Sequence, residues 1–290
     1  MADKIKLLLH VGFPKTGTTA IQSYFSVNRE IFKGGGALYP KSGDTSYSGQ
    51  AGLALAAKKQ LSRPFEMLAK EVLNSGCDTI VISSEYFFML EEDAINFLSQ
   101  SLTDYEVKVI AYFRRQDARI ESGYLQVLRD SEFRFSGSIE NYMSFLEKFP
   151  RRTDYYRFIV PWARAFGRSA ISIGIYDEVK PKLIDDFLTR CGLKQPAAAV
   201  IASTDANVAY KPMVNRFLRR INRISMTPRI HSQITRMLNF LTRKVVGPGT
   251  VKEHNLLTQE QREAIVERYA ESNAKLAKEF LNREDGVLFK

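Results

Sequence analysis

Apolar residues fall into two alternating kinds of run along this chain. Short continuous runs occupy residues 5–11 (IKLLLHV), 79–83 (TIVIS), 107–113 (VKVIAYF) and 170–176 (AISIGIY), with a shorter one at 37–39. Between them the apolar positions take helical spacing, over 18–32, 53–75, 91–102, 117–128, 154–166 and 181–191, with a break in the second of these near Pro64. A strand in a parallel sheet is covered by helices on both faces, so it is apolar throughout rather than at alternate positions. The alternation therefore predicts an α/β core, a doubly wound parallel sheet flanked by helices.

From about residue 196 the strand-like runs stop. Helical spacing continues over 212–223, 230–243 and 258–281, the last opened by a capping box of Thr258 and Gln261, with Gly247-Pro248-Gly249 separating the last two. The expected organisation is a core at 1–195 with a C-terminal helical region at 196–290 packed on it within a single domain. No internal repeat and no low-complexity tract interrupts this scheme.

Composition narrows the class. The 290 residues are 44% hydrophobic and 26% charged, the balance of a globular chain, which excludes disorder, collagen and coiled coil. Two cysteines, Cys77 and Cys191, cannot build a disulfide framework, and three histidines leave few soft ligands, so no metal is expected. The apolar run at 5–13 is interrupted by His10 and followed by Pro14 and Lys15 without a small-residue cleavage pattern. No stretch approaches the roughly 20 apolar residues of a membrane span, and the chain reads as cytoplasmic. The net charge of +10 calls for an anionic partner, with nucleotide, nucleic acid, acidic glycan and membrane surface all open.

The first strand runs into Gly12-Phe13-Pro14-Lys15-Thr16-Gly17-Thr18-Thr19 and then directly into a helix. Small residues let the backbone curl so that its N–H groups and the helix N-terminus face an anion, while Lys15 adds a charge and Thr18 and Thr19 add hydroxyls. The order differs from Walker A, because Lys15 precedes Gly17 and no lysine follows it. Taken alone, the segment also reads as a tight strand-to-helix turn with an incidental lysine. Pro14 to Thr19 followed by Ala20-Ile21-Gln22 resembles the 5′-phosphosulfate loop of sulfotransferases that use 3′-phosphoadenosine 5′-phosphosulfate. The resemblance implies a P-loop-like core. It also implies that Lys15 contacts the bridging and 5′-phosphate oxygens and that Thr16, Gly17, Thr18 and Thr19 hold the 5′-phosphate.

The third strong strand ends in Phe113-Arg114-Arg115-Gln116, and Ser122 follows Arg114 by eight positions. An arginine fork at a strand's carboxyl end and a serine some two helical turns along can converge on one phosphate. The spacing is similar to the 3′-phosphate motif of the same family, with Gln116 standing where many members carry proline. Arg114, Arg115 and Arg119 also read as a solvated basic helix start paired with Asp117 and Glu121. Tyr176-Asp177 after the fourth strand resembles the family's Tyr-Glu-Asp element, which implies that Tyr176 lies near the adenine. The implied activity is in-line transfer of a sulfuryl group to a hydroxyl or amine, without a metal.

Such transfer needs a base. Glu85, following the strand at 79–83, occupies the place where cytosolic members of the family carry a catalytic histidine; it also reads as a helix cap or an arginine partner. Asp44 is the second choice, and His10, inside the first strand, reads as a buried, hydrogen-bonded histidine. A P-loop kinase would need the missing Walker lysine and a magnesium-binding acid; an inactive nucleotide-binding relative is a further alternative. The pI near 9.5 alone suggests a nucleic-acid binder, and no nucleic-acid motif accompanies it. By analogy with bacterial relatives the acceptor is a glycan or glycolipid. Acceptor-facing candidates are residues 42–50 and 129–152, the latter carrying Phe133, Phe135, Tyr142 and Phe149, which equally read as core.

Residues 206–252 contain ten lysines and arginines and no acid, so the remaining 32 basic and 32 acidic residues balance and the whole surplus lies here. Arg216, Arg219, Arg220 and Arg223 recur at helical spacing. They read as a solvated face, or as a surface for the acceptor or for anionic membrane on its inner side. Arg243 and Lys244 with the Gly-Pro-Gly loop also read as a flap over the 3′-phosphate.

Overall fold

The computed structural model describes residues 4–45, 49–200, 212–242, 244 and 256–290. Two compact units interleave along the chain. The sheet unit comprises Met1–Arg114, Asp154–Thr204 and Glu271–Lys290; the helical unit comprises Arg115–Thr153 and Asp205–Ala270. In this grouping residues 115–153 go with 205–270, and residues 271–290 go with the sheet.

In the sheet unit, β1 (Lys6–Val11), β2 (Ala37–Leu38), β3 (Thr79–Ser84), β4 (Glu106–Phe113) and β5 (Ile171–Ile175) form one parallel sheet in the order β2-β3-β1-β4-β5. The expected α/β class holds. Successive strand residues point to opposite faces, and both faces are buried: Leu7, Leu9 and Val11 join one core while Leu8 joins the other. The first core is closed by α3 (Ala51–Lys58), α4 (Arg63–Ser75), α5 (Glu92–Ser101), α8 (Tyr155–Phe166) and α14 (Ala270–Leu281), which contribute Leu53, Leu68, Ile95, Trp162 and Leu276. The second is closed by α1 (Thr18–Val27), α2 (Arg29–Gly34) and α10 (Leu183–Cys191), through Ile21, Phe25, Phe32 and Phe187. A short α9 (Tyr176–Val179) follows β5. Cys77 and Cys191 are both buried and unbridged.

Three expected helices differ in detail. The helix at 18–32 is divided at Asn28, whose side-chain amide donates to the carbonyls of Tyr24 and Val200, both at 2.8 Å. The break in 53–75 comes before Pro64, around Gln60 with its φ of 53°, because proline is tolerated in the first turn of α4. The helix at 258–281 is two helices, α13 (Gln259–Arg268) and α14, with Tyr269 between them.

The helical unit contains α6 (Gln116–Arg129), α7 (Ile139–Glu147), α11 (Pro212–Ile221), α12 (Pro228–Leu241) and α13. Ile120, Tyr124 and Leu128 of α6 pack with Tyr142 and Leu146 of α7 and Ile265 of α13, and a smaller cluster of Val214, Leu218 and Leu238 joins α11 to α12. Arg262 binds Asp117 at 2.9 Å and Glu121 at 2.7 Å, while Glu121 accepts the backbone N–H of Leu256 and Leu257. The Thr258–Gln261 capping box forms as expected. Among the described residues no helix is long and apolar enough to cross a membrane.

Candidate functional site

Parallel strands in register bring their carboxyl ends to one edge. Val11 pairs with Ser84 on one side and Ala111 on the other, and Phe113 pairs with Ile175. The residues that leave this edge, in sheet order, are Glu85 after β3, Gly12 after β1, Arg114 after β4 and Tyr176 after β5. Open α/β sheets bind ligands at the carboxyl ends of their strands, beside the point where strand order reverses. Here β1 is that point, flanked by the later strands β3 and β4.

The loop after β1 is held from beneath. Phe13 is fully buried, with its ring edge-on to Phe88, Phe113, Tyr155 and Phe158 at 4.6–5.4 Å between centroids. The Gly12 N–H donates to the Ser84 carbonyl at 3.0 Å, and a Cβ at Gly12 would lie 2.4 Å from Thr18 Cγ2. Thr16 and Thr18 are buried and turn their hydroxyls inward to the Phe13 carbonyl, at 2.6 and 3.4 Å, so in this structure they brace the loop; Thr19 is exposed. Lys15 and Gly17 both have left-handed backbone, φ 69° and 82°, and alternation of hands along a turn is the geometry that can gather successive N–H groups into a concavity suited to an anion. Helix α1 opens on Gly17 with no acidic residue in its first turn and no side-chain cap hydrogen bond, so no resident carboxylate of that turn neutralises its positive end.

Two elements from β5 onward close on this loop. A Cβ at Gly17 would lie 2.3 Å from Leu183 Cδ2 and 3.1 Å from Tyr176 Cε2. Tyr176 therefore stands against the loop, and the Arg114 guanidinium lies 5.7 Å from its ring centroid. Arg114 Nε is 3.3 Å from Asp177 Oδ1, and the Arg114 carbonyl accepts the Tyr155 hydroxyl at 2.5 Å. Asp177 as the ion-pair partner of Arg114 escapes the sequence reading, although it stands beside Tyr176 in the quoted Tyr176-Asp177.

Glu85 is half-buried at the start of a 3-10 turn (Glu85–Met89). Burial raises its pKa above the usual carboxylate value, and the nearby Lys15 ammonium partly opposes this. A carboxylate held more basic than usual beside a cation suits a proton acceptor. Asp44 is differently engaged, at 2.5 Å from Arg29 and 3.2 Å from Gln50 Nε2. His10 is fully buried with Nδ1 2.7 Å from Ser83 Oγ, and burial lowers its pKa to about 3. It is the hydrogen-bonded core histidine expected.

Gln22 and Gln50 were not anticipated. Both are buried and grip Ser83 at the end of β3: Gln22 Nε2 donates to its carbonyl at 3.2 Å, and its N–H donates to Gln50 Oε1 at 2.9 Å. Glu71 receives the backbone N–H of Lys41 and Ser42, at 2.7 Å each, which fixes the start of the 42–50 segment. Residues 46–48 of that segment, and the Gly-Pro-Gly flap at 247–249, lie outside the described residues.

The remaining predicted residues belong to the helical unit. Ser122 is half-buried on α6, and Lys244 is exposed with its ammonium 5.1 Å from the Phe240 ring centroid. Arg115 is bound to Asp117 at 2.8 Å, as the basic-helix-start reading expects, whereas Arg119 is buried rather than solvated. Of the aromatics at 129–152, Tyr142 is core while Phe133 and Phe149 are exposed. Among the described residues no three or more His, Cys, Asp or Glu side chains are grouped to hold a metal ion.

No protein-family model matches the chain. An uncharacterized protein of Archaeoglobus fulgidus is 29% identical to it over 210 residues, 71% of this chain and 55% of that protein. The chain thus spans about half the length of the curated relative it matches.

Proposed function

We propose that the chain is a sulfotransferase that moves a sulfuryl group from 3′-phosphoadenosine 5′-phosphosulfate to a hydroxyl, or an amine, of a carbohydrate or glycolipid acceptor. The observation that carries this reading is the convergence of Glu85, the Lys15 loop, Arg114 and Tyr176 at the carboxyl ends of four adjacent parallel strands. The donor set suits an anionic nucleotide: a left-handed loop, an acid-free helix start, a lysine and an arginine fork beside an aromatic ring.

In this reading Lys15 and the amides around Gly17 hold the 5′-phosphate, Arg114 takes the 3′-phosphate and Tyr176 offers its ring to the adenine. Asp177 stands beside Arg114 as its ion-pair partner. The role of Ser122 rests on the family spacing alone, and the acceptor class rests on analogy. The donor supplies an activated sulfuryl group bonded to the 5′-phosphate oxygen. Glu85 removes the acceptor's proton as the acceptor's oxygen or nitrogen bonds to sulfur, and Lys15 neutralises the charge that collects on the 5′-phosphate as its bond to sulfur breaks.

Calorimetry with 3′-phosphoadenosine 5′-phosphate, ATP and AMP tests the donor. Tightest binding to the 3′,5′-bisphosphate, weakened at least ~10-fold by Lys15→Ala, is expected. Preference for ATP with magnesium would overturn the reading in favour of a kinase.

A further inference from the structure

The segment that holds the whole charge surplus also exposes an unusual amount of apolar surface. On α11 and the turn after it, the exposed positions are Met213, Arg216, Phe217, Arg220, Arg223 and Ile224, the three- and four-residue spacing of one helical stripe. On α12 they include Arg229, Ile230, Arg236, Met237 and Phe240, a second stripe that continues to the exposed Lys244. The two helices are joined through the buried Val214, Leu218 and Leu238, none of which belongs to the exposed stripes, so those stripes are not left over from their mutual packing.

Each outward stripe alternates cations with large apolar side chains. Met213, Phe217, Ile224, Ile230, Met237 and Phe240 are each between 47% and 61% exposed. Neither helix carries an aspartate or glutamate. We infer that the exposed faces of α11 and α12 form a docking surface for an anionic phospholipid bilayer. Arg216, Arg220, Arg223 and Arg236 would meet the headgroup phosphates, and Phe217, Met237 and Phe240 would enter the boundary between headgroups and acyl chains.

The chemistry favours lipid over a soluble polyanion. A nucleic acid or acidic glycan would satisfy the arginines and leave six large apolar side chains in water. Interfacial helices combine both features, because apolar insertion and attraction to anionic headgroups act together. A single-sign stripe without apolar residues would carry no such preference. The proposal is independent of the sulfuryl-transfer reading, since it uses no residue of the sheet unit and its test needs no donor.

The test is sedimentation of the full chain with vesicles of phosphatidylcholine alone or with phosphatidylglycerol at about one part in three. Binding should require phosphatidylglycerol. The variant Arg216→Gln/Arg220→Gln/Arg223→Gln/Arg236→Gln should weaken it at least ~100-fold, and Phe217→Ser/Met237→Ser/Phe240→Ser at least ~10-fold, with circular dichroism unchanged. Because these variants alter many positions, a single substitution supplies an independent readout. Trp162 is the chain's one tryptophan and is fully buried, so Phe240→Trp adds an exposed reporter whose emission should shift to the blue on phosphatidylglycerol vesicles and not on heparin. Absence of that shift, equal binding to both vesicle types, or full binding by the apolar variant would overturn the assignment, the last result marking a polyanion surface instead.

Discussion

Replacing Gly17 with alanine tests whether the loop after β1 and the Tyr176 ring make one binding surface, as the proposed function requires. The backbone there has φ +82°, where a Cβ costs about 1–2 kcal/mol. The new methyl would also lie 2.3 Å from Leu183 Cδ2 and 3.1 Å from Tyr176 Cε2, so either these side chains or the loop must move. Such overpacking adds about 1–3 kcal/mol. Gly76, the cap of α4, supplies the control: its φ is +66° and a Cβ would meet nothing within 4 Å. In urea unfolding, Gly76→Ala should lose only the backbone cost, about 1–2 kcal/mol, with bisphosphate affinity unchanged. Gly17→Ala should lose a further ~1–3 kcal/mol, and calorimetry should find its affinity for the bisphosphate down at least ~10-fold. Adding Leu183→Ala to Gly17→Ala removes the closer of the two clashes, so part of the affinity returns while stability falls further, Leu183 being core. Wild-type affinity in Gly17→Ala would refute the idea that loop and ring act as one surface.

Glu85→Gln should lower turnover by roughly 10²–10⁴ while leaving bisphosphate affinity equal or tighter; unchanged turnover removes Glu85 from the chemistry. Because burial raises the pKa of Glu85 and ionisation is needed for it to act, kcat should climb with pH along a limb above the ordinary value of 4.5, and Lys15→Ala should move that limb higher still. The same shift means that Glu85 favours the fold fully only below its unfolded pKa and loses that contribution as pH rises through the folded one, so Glu85→Gln should melt higher than the wild type at neutral pH. Phe13→Ala, emptying a site ringed by four aromatics, should cost about 3–5 kcal/mol in urea unfolding, and a loss under 1 kcal/mol would deny Phe13 its anchoring role. His10 titrates at 6.5 when unfolded and at about 3 when buried, so stability is complete above 6.5 and declines as pH falls towards 3. His10→Asn should flatten that decline in a series of thermal melts, and an unaltered slope would point to another group.

What the sequence conveys well is whatever depends on neighbours in the chain. The runs at β1, β3, β4 and β5 are legible because a strand covered on both faces must be apolar at consecutive positions, as Leu7, Leu8 and Leu9 are. The Lys15 loop is legible because its turn needs particular residues at fixed offsets. Helix α7 went unread: its start is a box of Ser138 with Asn141 rather than the usual glutamate or glutamine. The grip of Gln22 and Gln50 on Ser83 joins positions 61 and 33 residues apart, and no local pattern announces it. The interleaving of the two units is of the same kind, since α6 and α7 share a core with α13 more than a hundred residues later.

Charge behaves differently in the two units, and this bears on what each can recognise. At the carboxyl edge of the sheet the cations lie beside acids: Arg114 has Asp177, and Lys15 has Glu85 as an electrostatic neighbour. An anion there competes with resident carboxylates and must be held by directed donors, the loop N–H groups and the arginine fork, rather than by surplus charge. Neither α11 nor α12 carries an acid, and Arg216, Arg220, Arg229 and Arg236 are exposed, so attraction is general and screened over about 8 Å at physiological salt. Ionic strength should therefore separate the two activities. Raising salt from about 0.05 to 0.5 M should weaken vesicle binding far more than bisphosphate binding, and parallel losses would mean that surplus charge, not directed geometry, governs the nucleotide loop as well.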